Sequence, residues 1–314
     1  MEFKEANIRQ IELWKTDSWK SVECYNDWFT TFAPQAFLSA RRGSMDKVLL
    51  TLSITDDLRK ITVDNILQEP QILEVLRMVT APPLAQDRLI GLSYTKKTLL
   101  KTLESGKTPK GGISLEIRES IARMAEIIEK MLDKELFPWL LSKTITSQQR
   151  KRSASIVADR LTGVLSDPII RNAQENRQLT AISNYLKSNG YTYVNKVASF
   201  EAMQPKTFSF HMNVPIVIGQ NKKVNMPIDV VICPSKNTPL LLECKSAGDF
   251  TNTNKRRKEE AIKMAQLRET YGNDIRFYLF LCGYFDTGYL GYEAAEGIDW
   301  IWEHRISDFE KLGI

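Results

Sequence analysis

The stretch Met226-Pro227-Ile228-Asp229-Val230-Val231-Ile232, followed after a short gap by Leu240-Leu241-Leu242-Glu243-Cys244-Lys245, decides how the rest of the chain is read. Both runs are rich in Val, Ile and Leu, and the segment between them carries Pro234 and Pro239. That pattern predicts two neighbouring strands joined by a turn. Strand side chains alternate between two faces, so Glu243 and Lys245 share one face and Cys244 takes the other. If the strands pair, Asp229, Glu243 and Lys245 converge at the end of an apolar sheet. Unpartnered charges are costly to bury there. A salt bridge from Lys245 to either acid is one solution; a metal ion held by both carboxylates is the other.

The surroundings favour the metal. Both acids lie in predicted strands, fourteen positions apart, and a basic polar segment follows. Mg²⁺ prefers carboxylate oxygens and keeps several waters. Asp229 and Glu243 are therefore the expected ligands, with the main-chain carbonyl of Cys244 as a third. Lys245 is then placed to hold an attacking water and to neutralise a pentavalent phosphorus. Arg would suit that place less well, because it cannot give up its proton. A second ion needs another acid. Glu175, on the helix before the first strand, is the candidate, although a solvated helix Glu has the same appearance in sequence. Downstream come Asn252, Thr253, Asn254, Lys255, Arg256, Arg257 and Lys258. Cations in a first helical turn oppose the macrodipole, and a phosphate there relieves the penalty, so this segment is expected to bind DNA.

The chain has 314 residues, 43% hydrophobic and 26% charged, enough for a proper core and unlike a disordered chain. Its net charge of +5 permits a polyanionic partner. The four cysteines, Cys24, Cys233, Cys244 and Cys282, form no C-x-x-C pair and signal no zinc site, which fits a reducing cytoplasm. The opening residues are too polar for a signal peptide, and no apolar run reaches membrane-spanning length. His211 and His304 are the two histidines, and neither lies near a Ser or Cys nucleophile in sequence, so a triad enzyme is not expected. Gly106-Lys107-Thr108 lacks the glycine five positions earlier that a P-loop needs, and a nucleotide site there is rejected.

In chain order, residues 1 to 165 read as a mostly helical region. Trp14, Trp19, Trp28 and Phe29 are expected core anchors. A helix is expected through Leu92 to Leu103, and another from Ser114 to Leu136. Thr146 to Ser153 reads as a helix start or a phosphate contact. From residue 166 to 314 the grammar changes: a helix over Asp167 to Ser188, strands near Tyr191, over Thr207 to Ile218 and at the two opening runs, a helix over Asn254 to Tyr271 with Ala261, Met264, Ala265 and Leu267 inward, and a buried strand over Ile275 to Cys282.

Pro227-Ile228-Asp229 with Glu243-Cys244-Lys245, in this helix–strand–strand–strand–helix–strand order, resembles the PD-(D/E)xK nuclease superfamily. Ile228 intervenes between the motif's Pro and Asp, a position that varies in that superfamily. The stretches Glu243 to Glu260, Leu281-Cys282-Gly283-Tyr284-Phe285-Asp286, Glu293 to Trp300 and Thr80 to Leu92 resemble bacterial Type II restriction endonucleases of the XamI-type family. The resemblance implies an α/β fold: a restriction-endonuclease-like core with a central mixed sheet flanked by helices, preceded by a helical region that embraces DNA or dimerises. It also implies Mg²⁺-dependent double-strand cleavage of DNA at a short palindromic site, a homodimer, a cognate DNA methyltransferase and a bacterial cytoplasm. On this pattern Asp229 and Glu243 are metal ligands and Lys245 is the catalytic lysine. A repair or junction-cleaving nuclease on the same core is the alternative enzyme. A DNA-binding module whose charged triplet is only a salt bridge is the alternative of another class.

Overall fold

The alternation read from Thr207 onward becomes a sheet in the computed structural model, which describes residues 5–314 except 143, 196, 220, 221, 237 and 252, and no side chains over 253–257. The helices before it are α1 (Ile11–Ile54), α2 (Val63–Gln68), α3 (Ile72–Met78), α4 (Gln86–Ser93), α5 (Lys97–Glu104), α6 (Leu115–Lys130) and α7 (Ser147–Ser188). Then follow β1 (Thr192–Tyr193), β2 (Thr207–Ile218), β3 (Lys222–Cys233), β4 (Leu240–Ala247), α8 (Thr253–Tyr271), β5 (Arg276–Gly283), α9 (Thr287–Ala295) and β6 (Asp299–Trp302). Among the described residues no helix is long and apolar enough to cross a membrane.

The helical region differs from expectation in three places. Tyr94 adopts a left-handed conformation and ends α4, so the helix expected through Leu92 to Leu103 is two helices. α6 stops at Lys130, well short of Leu136; its start is as read, with the Ser114 hydroxyl accepting the Ile117 N–H. The helix expected over Asp167 to Ser188 starts earlier: α7 begins at Ser147 and runs on through Pro168. An internal proline removes a helical hydrogen bond, but the residues on either side are anchored. Val157, Ala158 and Leu161 are buried in one core and Leu179, Ile182 and Leu186 in another. The cluster at Thr146 is a helix start: Gln149 N–H donates to Thr146 Oγ1 at 3.1 Å, and Thr146 N–H donates back to Gln149 Oε1 at 3.0 Å.

The chain forms two compact units, Ala33–Ile170 and Met1–Phe32 with Arg171–Ile314. The helical unit is built around Ile66, Leu76, Leu89, Leu100, Ile121 and Trp139. The sheet unit takes in the start of the chain, which the sequence reading grouped with the helices. Asn7 N–H donates to Asp299 Oδ1 of β6 at 2.9 Å, and Trp14 packs edge-on against Trp300 at 5.4 Å. Trp14 is thus a core anchor, whereas Trp19 is 61% exposed and Phe29 is also exposed, because only one side of α1 meets this core.

The sheet runs in the order β1-β2-β3-β4-β5-β6. The β2–β3 and β3–β4 pairs are antiparallel; β1–β2, β4–β5 and β5–β6 are parallel. β5 is buried almost throughout, as its unbroken apolar run requires. One face packs on Met264 and Leu267 of α8 and Tyr289 and Leu290 of α9. The other packs on Leu179, Ile182 and Leu186 of α7 and on Phe309 and Leu312 near the C-terminus. This is the α/β core with a mixed sheet that the resemblance implied.

The β2–β3 pair turns over part-way along. Phe208, Val230 and Ile232 belong to the core on the α7 side, but Met212, Val214, Met226 and Ile228 belong to the core on the α8 side. Strict alternation would keep 208, 212 and 214 on one face. The reversal falls at His211, whose φ is +51°, and at Asp229, which the register places opposite it.

At the other end of the site strands, Gly283 has φ +102°, and a Cβ there would lie 2.1 Å from the Ala247 carbonyl oxygen. Its N–H donates to Ser21 Oγ at 2.8 Å. Gly283→Ala is expected to cost ~3 kcal/mol or more. Urea unfolding should show a lower midpoint at unchanged slope; an unaltered midpoint would refute the tight closure.

Candidate active site

The β3–β4 ladder positions the acids. Its register, Val230↔Leu242 and Val231↔Leu241, continues to Asp229 opposite Glu243, which is why the two lie fourteen residues apart. The ladder itself stops at Val230. Beyond it the Asp229 carboxylate, not a main-chain carbonyl, accepts the Cys244 N–H at 2.8 Å. A strand residue directs its N–H and C=O to the same edge, so the Cys244 carbonyl also opens toward the gap beside Asp229. Glu243 and Lys245 share the α8 side, as alternation predicts.

Here the salt bridge exists. Lys245 Nζ lies 3.1 Å from Glu243 Oε1 and 3.1 Å from Glu260 Oε1. Lys263 Nζ lies 2.5 Å from the same Glu243 oxygen. Sequence reasoning missed Glu260 and Lys263. A signal was present, since both fall on the α8 stripe with Met264 and Leu267, where charged residues would otherwise be unexpected. The expected inward Ala265 is exposed instead. Behind them lies buried Glu293 of α9, also missed.

The electrostatics are those of a crowded acidic pocket. Burial, then the Glu243 charge, raises the Asp229 pKa, although the Cys244 N–H opposes this. Burial pulls Lys245 down, but Glu243 and Glu260 more than offset it and the ammonium is held above its ordinary pKa. Lys245 therefore keeps its proton, and its suitability does not rest on releasing it. Burial, followed by the Glu260 charge, pushes Glu293 up to about 8. A carboxyl with a raised folded pKa stabilises the fold while protonated and loses that contribution as pH rises from its unfolded value toward 8. At ~1.4 kcal/mol per pKa unit this reaches a few kcal/mol. Glu293→Gln should remove this decline, with melting temperature higher than wild type at pH 9 and similar at pH 4.5. Parallel profiles for the two proteins would refute the burial argument.

The residues fit a divalent cation on three counts. Burial and the facing Glu243 charge raise the cost of ionising Asp229, Glu243 Oε2 is buried and meets no donor among the described residues, and the carboxylates offer hard oxygens. Glu175 joins them: its carboxylate, the His211 imidazole and the Asp229 carboxylate lie within 4.8 Å of one another. Another group of possible ligands, Cys24, Cys282 and Glu303, already has a cation. Arg177 Nη2 lies 3.0 Å from Cys282 Sγ and 3.1 Å from Glu303 Oε2. Lys258 is exposed on α8. The expected DNA contacts Asn252, Thr253, Asn254, Lys255, Arg256 and Arg257 lie outside the residues whose side chains are described.

The family model described as XamI restriction endonuclease matches residues 56–302. The chain belongs to the XamI restriction endonuclease family. It is 48% identical over 317 residues to the Type II restriction enzyme SalI of Streptomyces albus G, covering 98% of this chain and 99% of that protein. It is 23% identical over 265 residues to the Type II restriction enzyme XamI of Xanthomonas campestris pv. amaranthicola, covering 83% and 84%. Among solved structures, protein VC1899 from Vibrio cholerae aligns over 77% of this chain and 54% of its own, at 14% identity and TM-score 0.28, a likeness too slight to bear on the fold. The match to this restriction endonuclease family spans both compact units and the whole acidic cluster.

Proposed function

We propose that this restriction endonuclease hydrolyses both strands of DNA at a short palindromic sequence, using Mg²⁺ held by Asp229, Glu243 and the Cys244 carbonyl, with Glu175 available to a second ion. The observation that carries the reading is the Asp229–Glu243 pair at the point where the β3–β4 ladder stops, with Glu243 Oε2 buried and meeting no donor among the described residues. When bound, the ion supplies Lewis-acid polarisation of the phosphate and a more acidic water. Lys245 contributes a fixed positive charge beside the phosphate, where it favours the extra negative charge of the transition state. Glu260 keeps that ammonium aimed and charged. A homodimer would match a two-fold site. A cognate methyltransferase would protect host DNA, and the Ala33–Ile170 unit is the natural candidate for embracing DNA or joining protomers.

The 3.1 Å ion pair between Lys245 and Glu243 favours one other reading, a DNA-binding module without catalysis. Incubation with phage DNA separates them. Discrete bands with Mg²⁺ and none with EDTA are expected. A smear would indicate a non-specific nuclease, and intact bound DNA the module.

A further inference from the structure

Cys24 of α1 and Cys282 of β5 meet in the sheet unit. Their sulfurs lie within 4.8 Å of each other and of a Glu303 carboxylate oxygen. The packing that brings them together is fixed on both sides. About one helical turn before Cys24, Ser21 Oγ accepts the Gly283 N–H at 2.8 Å, so α1 is tied to the residue after Cys282. About one turn after Cys24, the Trp28 ring faces the Arg177 guanidinium at 4.5 Å, and Arg177 Nη2 donates to Cys282 Sγ at 3.0 Å. Cys282 is 1% exposed, whereas Cys24 is half-buried. One thiol therefore meets solvent and the other stands behind it. Ionisation follows the same order. The Cys282 hydrogen bond, helped by the Arg177 charge, brings the Cys24 thiol down to about 7 against burial and the Glu303 charge. The same hydrogen bond and burial keep Cys282 protonated, and burial raises the thiols of Cys233 and Cys244. A thiol that is partly ionised and partly exposed is the reactive kind.

We propose that Cys24 and Cys282 are a modification site for hydroperoxides, at which Cys24 is oxidised and Cys282 closes a disulfide that slows cleavage. With hydrogen peroxide, the Cys24 thiolate attacks one oxygen. The S–O bond forms, the O–O bond breaks, and the sulfur is oxidised to a sulfenic acid while the peroxide is reduced to hydroxide, which takes up the proton that Cys24 released. Cys282 Sγ then attacks the Cys24 sulfur. The S–S bond forms, the S–O bond breaks, and the Cys282 proton leaves with that oxygen as water. A disulfide holds its sulfurs ~2.05 Å apart, so Cys282 Sγ is drawn toward α1 and off Arg177. A thiol reductant reopens the pair. The pair is linked to Lys245. Cys282 is opposite Ser246 across β4–β5, next to Lys245. Gln178, which follows Arg177 on α7, donates to the carbonyls of Lys245 and Phe280, each at 3.2 Å. Displacing Cys282 and Arg177 therefore shifts the strand that holds the ammonium. The disulfide stands by itself; its effect on cleavage rests on the nuclease reading.

Treatment of the full-length protein with hydrogen peroxide, followed by alkylation of free thiols and peptide mass spectrometry without reductant, tests the pair. A cross-linked Cys24–Cys282 peptide is expected, with Cys233 and Cys244 recovered as free thiols. Cys282→Ser removes the resolving thiol, and Cys24 should then be trapped as a sulfenic acid by dimedone; the melting temperature checks that this variant is folded. The cross-linked wild type should cleave DNA about tenfold more slowly or worse, since small displacements of a positioned group are costly, and dithiothreitol should restore the rate. Cys24→Ser should cleave at the reduced wild-type rate and keep that rate after peroxide. Absence of the Cys24–Cys282 peptide, or an equal yield of disulfides through Cys233 or Cys244, would overturn the thiol pair. An undiminished rate in the fully cross-linked protein would overturn its control of the site. Failure of the nuclease reading would show instead as DNA left intact by the reduced wild type with Mg²⁺, whatever the cross-link.

Discussion

Lys245→Ala is expected to lower the single-turnover cleavage rate by ~10²–10³-fold or more while leaving DNA binding within a few-fold of wild type. The effect is large because the ammonium is preorganised: Glu243 and Glu260 each hold it at 3.1 Å, and their charges keep it protonated. Binding survives because phosphate contacts elsewhere supply most of the affinity of a nucleic-acid complex. The substitution also disturbs stability. It leaves Glu260, which is fully buried, without a Lys245 partner, and breaking a buried pair typically costs ~3–5 kcal/mol. Rates must therefore be measured well below the variant's melting temperature. The lost stability should be smaller at pH 5 than at pH 8, since protonation relieves the uncompensated acids. Near-wild-type cleavage by folded Lys245→Ala would reduce this residue to a structural ion-pair partner.

Asp229→Asn should act oppositely on stability and activity. Cleavage is expected to fall by ~10³-fold or more, because one of two facing carboxylates is gone. In EDTA the variant should melt at or above the wild-type temperature. The reason lies in burial and the Glu243 charge, which raise the Asp229 pKa, so at neutral pH the ionised group costs stability that a neutral amide does not. Asn also keeps an oxygen for the Cys244 N–H. Divalent cations should raise the melting temperature of the wild type by mass action and that of the variant much less. Equal metal-induced shifts in the two proteins would remove Asp229 from the ligand set. Lower stability of the variant in EDTA would refute the burial and repulsion argument.

The sequence by itself determined the strands and the pair of acids. Alternation over Thr207 to Ile218 and the apolar runs around Asp229 and Glu243 mark the strands, and alternation within the last of them puts Glu243 and Lys245 on one face. Those are local effects of backbone geometry, readable without knowing the rest of the fold. That the two acids converge if the strands pair was legible there; the register that sets Asp229 opposite Glu243 was not. Tertiary structure decided what covers each face. Glu260 and Lys263 reach Lys245 and Glu243 because α8 packs its Met264 and Leu267 side on the sheet, and helical periodicity alone does not say that two charges ride on that side. Glu293 is buried because α9 closes the same pocket. Asn7 joins β6 through Asp299 across nearly the whole chain. Glu175 and His211 meet Asp229 only because the β2–β3 pair turns over where His211 takes a left-handed backbone. Long-range packing, not local propensity, chose the partners of the charges, since the cost of burying an acid depends on what stands beside it in space.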